Sequence, residues 1–218
     1  MRKASLNLLV SMAAAALLTV ACGTNDPAPP RGSGEGGTDA GGASGDYPPG
    51  PYGVSNGSVI QNHSWEGWTE PKESGYAEDA LSTISLKDYY DPDGTKGYNA
   101  IVVNAAARWC SVCKIEQKDL RAQRDQWSSK GVVFIEALFE DVASQPAKPS
   151  DLVIWGNTYQ IDWVLVLDPT NQLSAYFDPS SAPMNMIINA HTMEIRDIVT
   201  GLPDESWWSN HLGPLTAQ

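Results

Sequence analysis

Residues 100–113 read AIVVNAAARWCSVC, and the change of texture inside this stretch decides the fold. The segment 100–106 is a continuous apolar run with β-branched residues, as in a strand buried on both faces. From residue 110 to 130 Glu, Gln, Lys and Arg dominate. Val112, Ile115, Asp119 and Trp127 recur there at near-helical spacing, and Gly131 stands where a helix C-cap belongs. A buried strand therefore gives way to a helix, with Cys110 and Cys113 at the junction. A thiolate at a helix N-terminus meets unpaired backbone N–H groups and the positive end of the dipole. Its pKa then falls from about 8.5 into a range of roughly 3.5–7.5. Two intervening residues set the second thiol one helical turn on, within reach of a mixed disulfide formed on the first. Cys110 is expected to be the exposed nucleophile and Cys113 the more buried resolving thiol.

Other chemistries for two cysteines at this spacing fit less well. A structural zinc site needs four ligands, and His63, His191 and His211 are scattered along the chain. A haem attachment motif ends in His, where this chain has Lys114. A disulfide closing so small a loop would add little stability.

Working outward, residues 132–139 form a second buried strand, 151–159 a helix and 164–167 a third strand. Residues 172–177 suit a short helix, and 184–189 and 194–200 a hairpin turning at Ala190-His191-Thr192. Asp204 caps a last helix running to about residue 212. The order predicts an α/β fold, a central mixed β-sheet with helices on both faces and a C-terminal hairpin plus helix. Upstream, 52–93 mixes aromatics with turn residues around strand-like pieces at 58–60 and 81–86. Asp91-Pro92-Asp93-Gly94 has the start of a calcium loop, but Val102 stands where a bidentate Glu is needed, so a plain turn is expected.

The N-terminus reads differently. Arg2 and Lys3 precede an apolar stretch through Val20, the pattern of an export signal and too short for a comfortable membrane span. Leu18-Thr19-Val20-Ala21-Cys22-Gly23 resembles the lipobox of bacterial lipoproteins. That resemblance implies lipid on Cys22, and Gly23 in place of Asp permits sorting to the outer membrane. Residues 23–50 hold nine Gly and five Pro and cannot bury enough surface to offset their ordering entropy. As a flexible coil the segment would span roughly 30 Å. The expected organisation is a signal peptide at 1–21, a lipidated cysteine and tether at 22–51, and one domain at 52–218. The three cysteines thus divide as one for lipid and two for redox chemistry. The charge of 14 − 26 = −12 argues against nucleic acid. Removing the signal takes two bases and no acid, giving 12 − 26 = −14, which suits a domain held clear of anionic lipid.

Residues 101–113 resemble the active-site strand and turn of the thioredoxin superfamily, and more closely the TlpA-like redoxins related to the AhpC/TSA group. Asn104, six before Cys110, and Glu116, three after Cys113, match polar positions of that group. Residues 181–186, SAPMNM, match the segment where the fold keeps a cis-proline facing the cysteines, and 193–201 match its partner strand and glycine. The resemblance implies a thioredoxin-like fold and a membrane-tethered, extracytoplasmic thiol–disulfide oxidoreductase. In it Cys110 attacks, Cys113 resolves, Glu116 assists proton movement, and Trp109, Ala182 and Pro183 dock substrate. The redox-active disulfide Cys110–Cys113 replaces any cofactor, and no metal is implied. The implied partners are protein or small-molecule thiols and disulfides and an upstream thiol–disulfide donor, at the cell envelope facing the periplasm or the exterior. Ala105-Ala106-Ala107 replace the aromatic and small residues usual before the motif, and Ser111-Val112 lack its proline, so the direction of electron flow stays open. A peroxiredoxin-like peroxidase would want Thr at Ala107. A copper-handling assembly module would want a well-placed His.

Overall fold

The computed structural model describes residues 46–217. The expected signal peptide, Cys22 and the tether through residue 45 lie outside the described residues. The centre is strand β3, Ala100–Ala107, all eight residues of which are buried. It pairs in parallel with β4, Val132–Glu140, and antiparallel with β6, Met184–Asn189, which turns back as β7, Ile195–Thr200. Strand β5, Val164–Leu167, runs parallel beside β4. Two strands complete the sheet, β1 at Ser64–Trp68 and β2 at Ser82–Ser85, giving the order β2-β1-β5-β4-β3-β6-β7. The fold class read from the sequence is the one observed.

Helix α1, Ser111–Trp127, links β3 to β4, and α2, Pro149–Tyr159, links β4 to β5. Both connections step the same way across the sheet, so right-handed crossovers set both helices on one face. Side chains show the same placement: Gln117 of α1 and Trp155 of α2 both bond to Glu136 of β4. Helix α3, Glu205–Thr216, reaches this face too, with Trp208 packed 6.3 Å from Phe134 between ring centres. The opposite face, carrying Ile101, Val103, Ile135 and Val166, is also buried. Its cover comes from segments outside the three α-helices, so the helical cover of the two faces is unequal.

Element boundaries fall close to those expected around the cysteines and diverge upstream. Residues 172–177 shorten to a 3-10 helix, Gln172–Ala175, whose first N–H groups are held by the Asp168 carboxylate. Residues 58–60 form an isolated bridge from Val59 to Glu194 rather than a strand. Residues 81–86 divide between β2 and a 3-10 helix, Leu86–Tyr89. Asp91 is a turn residue, as expected. Its carboxylate is occupied by the backbone N–H groups of Lys96 and Tyr98.

Strand β1, SWEGW, was not anticipated. It bonds on one side to β2 and on the other to β5, and Gly67 permits the approach to β5. A Cβ at Gly67 would overlap the Leu165 carbonyl and the Val166 Cα. Overpacking at such a site costs about 1–3 kcal/mol, and each kcal/mol lowers Tm by about 2–4 °C in a domain of this size. Gly67→Ala is therefore expected to lower Tm by several degrees in a thermal melt followed by circular dichroism.

Candidate active site

Cys110 is the N-cap of α1 and its sulfur accepts a hydrogen bond from the Cys113 backbone N–H at 3.0 Å. The two cysteines form a disulfide with Cα atoms 5.3 Å apart. Across the groove, Cys110 Sγ lies 3.4 Å from the Ala182 carbonyl oxygen, and the Ala182–Pro183 peptide is cis. The structure therefore brings Cys110, Cys113, Ala182 and Pro183 together from β3, α1 and the entry to β6. In the reduced state a Cys110 thiol would have an acceptor in that carbonyl and a thiolate would have the Cys113 N–H.

Cys110 is less open than expected. In the disulfide it is only 2% exposed, against 0% for Cys113, because the Ala182 carbonyl closes over it. Trp109 is half-buried, and its indole N–H donates to Glu140 at 2.6 Å. Neighbouring Arg108 pairs with Asp151 at the start of α2. Trp109 is thus held in a fixed orientation beside the disulfide.

The inward face of α1 departs from the expected apolar spacing. Val112 and Ile115 point to solvent, and Asp119 is exposed with them. The buried stripe is Cys113, Glu116, Gln117, Leu120, Gln123 and Trp127. The register of the helix is set by Cys110 at its cap and Cys113 turned inward, and the sheet beneath supplies polar partners for Glu116 and Gln117. Asn104 Nδ2 donates to Glu116 Oε2 at 3.0 Å, and Asn185 Nδ2 donates to Glu116 Oε1 at 2.6 Å. Asn104 also donates to Asn185 Oδ1. One turn along, Gln117 Nε2 contacts the Cys113 carbonyl at 3.3 Å and donates to Glu136 at 2.8 Å.

Sequence reasoning singled out Asn104 and Glu116 and missed Asn185, Gln117 and Glu136. A signal for Glu136 existed: it is the one acid inside the apolar run VVFIEALF of β4. Burial dominates the acidity of both carboxyls. It pushes Glu116 up to about 8, against the lowering effect of Asn185 and Asn104 and with help from the charges of Glu136 and Asp119. It pushes Glu136 up to about 7, against three N–H donors. Among the described residues no group of three or more His, Cys, Asp or Glu is placed to hold a metal ion.

The AhpC/TSA family model matches residues 71–197, from upstream of β2 into β7. The chain belongs to the AhpC/TSA family. Its fold is shared by solved structures at low identity. A Chlorobium tepidum protein assigned as the thiol:disulfide interchange protein DsbE superposes with a TM-score of 0.57 at 14% identity, over 75% of this chain and 99% of that one. A secreted thiol-disulfide isomerase from Corynebacterium glutamicum gives 0.53 at 14%, over 72% and 85%. A Plasmodium vivax 2-Cys peroxiredoxin gives 0.53 at 14%, over 72% and 80%. No curated protein matches the chain. At these identities the likeness is one of fold, and within the AhpC/TSA family the chemistry rests on this chain's own residues.

Both buried carboxyls hold protons more tightly folded than unfolded, where the value is near 4.5. Their contribution to stability is full below that value and is lost as pH rises through about 7 and about 8. The oxidised protein is expected to lose Tm between pH 5 and pH 9. Glu116→Gln should flatten that slope, as read from paired melts of the two proteins across the range.

Proposed function

We propose that this chain is an extracytoplasmic thiol–disulfide oxidoreductase, tethered by lipid on Cys22 and a flexible segment, with Cys110 as nucleophile and Cys113 as resolving thiol. The observation that carries the reading is the position of Cys110 Sγ. It caps the helix, accepts the Cys113 N–H and faces the backbone at Ala182 and the cis-Pro183. The family and the fold support it at the level of redox chemistry.

In the reducing direction the Cys110 thiolate attacks one sulfur of a substrate disulfide, and the other substrate sulfur leaves as a thiolate. Cys113 then loses its proton and attacks Cys110 Sγ. The Cys110–substrate bond breaks, the Cys110–Cys113 disulfide forms, and the second substrate sulfur leaves with its electron pair. Two electrons pass to the substrate, and an upstream dithiol returns two to the protein. The reverse sequence oxidises a substrate dithiol.

The groups around the pair divide the work. The helix N-terminus stabilises the Cys110 thiolate, and Glu116, one turn beyond Cys113, takes the proton of the resolving thiol. The cis-proline turn offers the Ala182 carbonyl at the rim of the groove, and Trp109 supplies an anchored ring. Val112 and Ile115, exposed beside the motif, add an apolar surface against which a polypeptide substrate can rest. A peroxidase of the same family would need a hydroxyl three residues before its reactive cysteine, and Ala107 has none.

Cys113→Ala is expected to trap a mixed disulfide with substrate, seen on non-reducing gels, while Cys110→Ala traps none. Equal reactivity of both variants would overturn the assignment of roles. The potential of the pair sets the direction. A value near or below about −270 mV marks a reductant, and one near about −120 mV an oxidant. For the tether, Cys22→Ala is expected to move the protein from the membrane fraction to the soluble one when the envelope is fractionated.

A further inference from the structure

The catalytic reading uses Glu116 and leaves a second buried carboxyl unexplained. Glu136 lies in the middle of β4, fully buried, opposite Asn104 on one side and Leu165 on the other. Asn104 in turn lies opposite Asn185. Laterally paired residues project to the same face of a sheet. Glu136, Asn104 and Asn185 therefore form a polar row across three strands, directly beneath α1. An unpaired buried carboxylate is costly, and this one is held by three N–H donors. Trp155 Nε1 and Gln117 Nε2 donate to Oε1 at 2.7 and 2.8 Å, and Trp163 Nε1 donates to Oε2 at 3.2 Å. Two indoles converging on one carboxyl exceed what packing requires.

We propose that Glu136 is a positioning residue of the redox centre, whose charge, held by Gln117, Trp155 and Trp163, sets whether Glu116 is ionised when Cys113 gives up its proton. The inference rests on the thiol–disulfide reading and adds a second carboxyl to it. Two observations carry it. Gln117 joins Glu136 to the backbone carbonyl of Cys113 through one side chain. Further, Asn104 Oδ1 and Gln117 Oε1 are buried without a hydrogen-bond partner. Each belongs to an amide whose N–H end donates to a carboxyl, and that amide, turned over, would present its oxygen to the O–H of the protonated acid. The row is built to hold protons as well as charge.

The titratable and charged neighbours are few. From α1 come Cys113, Glu116 and Asp119, whose charge helps to raise Glu116. From α2 comes Tyr159, raised first by burial and then by the charge of Glu136. Arg121 and Arg124 stack over the outer ring of Trp163, at 5.2 and 5.9 Å from its centre, and are bound to Asp162. Arg108 is taken by Asp151. β3, β5 and β6 present the neutral Asn104, Leu165 and Asn185. An ionised Glu136 thus acts on Glu116 mainly by repulsion and keeps its proton on. In the resolving step the proton leaves Cys113 for the Glu116 carboxylate, the Cys113–Cys110 bond forms, and the substrate thiolate departs. Removing the charge at position 136 lets Glu116 ionise at lower pH and accept that proton sooner.

The test uses the full chain, with Glu136→Gln and Trp163→Phe, the latter keeping the carboxyl but removing one donor. Glu116 is followed by carbon-13 NMR of the carboxyl, assigned with Glu116→Gln, alongside the pH profile of single-turnover disulfide reduction. Both variants are expected to shift the Glu116 titration and the rate profile to lower pH. A shift of about one pH unit would speed resolution up to about tenfold on the acid side. A folded Glu136→Gln in which Glu116 titrates as in the wild type overturns the proposal. Should that variant not fold, an unmoved titration in Trp163→Phe overturns it equally. Wild-type protein that exchanges no disulfide at any pH would instead sink the catalytic reading, while the NMR titration still judges the coupling.

Discussion

The contact from the Cys113 backbone N–H to Cys110 Sγ organises the rest of this molecule. A helix begins with N–H groups that have no partner inside it, and here a sulfur atom fills the cap that Ser, Asp or Asn usually fills. That choice fixes the register of α1: with Cys110 at the cap, Cys113 and then Glu116 and Gln117 must turn toward the sheet. It also fixes where the sulfur points, since β3 delivers Cys110 to the edge of the groove under the Ala182 carbonyl. The same N–H that caps the helix is the donor that would stabilise a thiolate.

The consequence of this register is an inverted helix. α1 sends Val112 and Ile115 outward and a carboxyl and two amides inward, against the usual rule that an amphipathic helix buries its apolar stripe. The cost is met locally. Glu116 and Gln117, the inward polar side chains on the first two turns of α1, each reach a partner on β3, β4 or β6, and burial pushes the Glu116 and Glu136 carboxyls up to about 8 and about 7. Leu120 and Trp127 restore apolar packing further along, and α3 closes over that end through Glu205, which accepts from Gln123. The first turns of α1 thus bury polar side chains and the last turns restore an apolar contact with the core.

The sheet explains why the polar row can exist at all. β3 is buried on both faces and has neighbours on both sides, so Asn104 Nδ2 is satisfied by groups on β6, the Asn185 side chain and the Met184 carbonyl, and by Glu116 from the helix above. Asn185 arrives on β6, which enters directly after the cis-proline turn. The cis-proline turn that faces Cys110 and the strand that supports Glu116 are therefore one continuous segment, 182–185. The N-terminal strands β1 and β2 lie at the far edge, beyond β5, and widen the sheet without touching the disulfide.

What the sequence alone determined was what local chemistry can determine. Apolar runs of β-branched residues located β3 to β6 within a residue or so, Gly131 with φ 76° ended the 3-10 extension of α1, and the Cys-X-X-Cys spacing at a strand–helix junction named the two cysteines that join in the disulfide. Asn104 and Glu116 were legible because they keep a fixed distance from the cysteines. Tertiary structure decided the remainder. Asn185, Glu136 and the two tryptophans that hold it meet only through strand register and helix docking, with partners between 19 and 81 residues apart. Apolar spacing located α1 but left its inward face open, since the cap and the partners beneath it, rather than hydrophobicity, set its rotation. Strand β1 was hidden because SWEGW carries two aromatics and a glycine among turn residues, and it becomes a strand only when β5 lies alongside with room for no Cβ at Gly67.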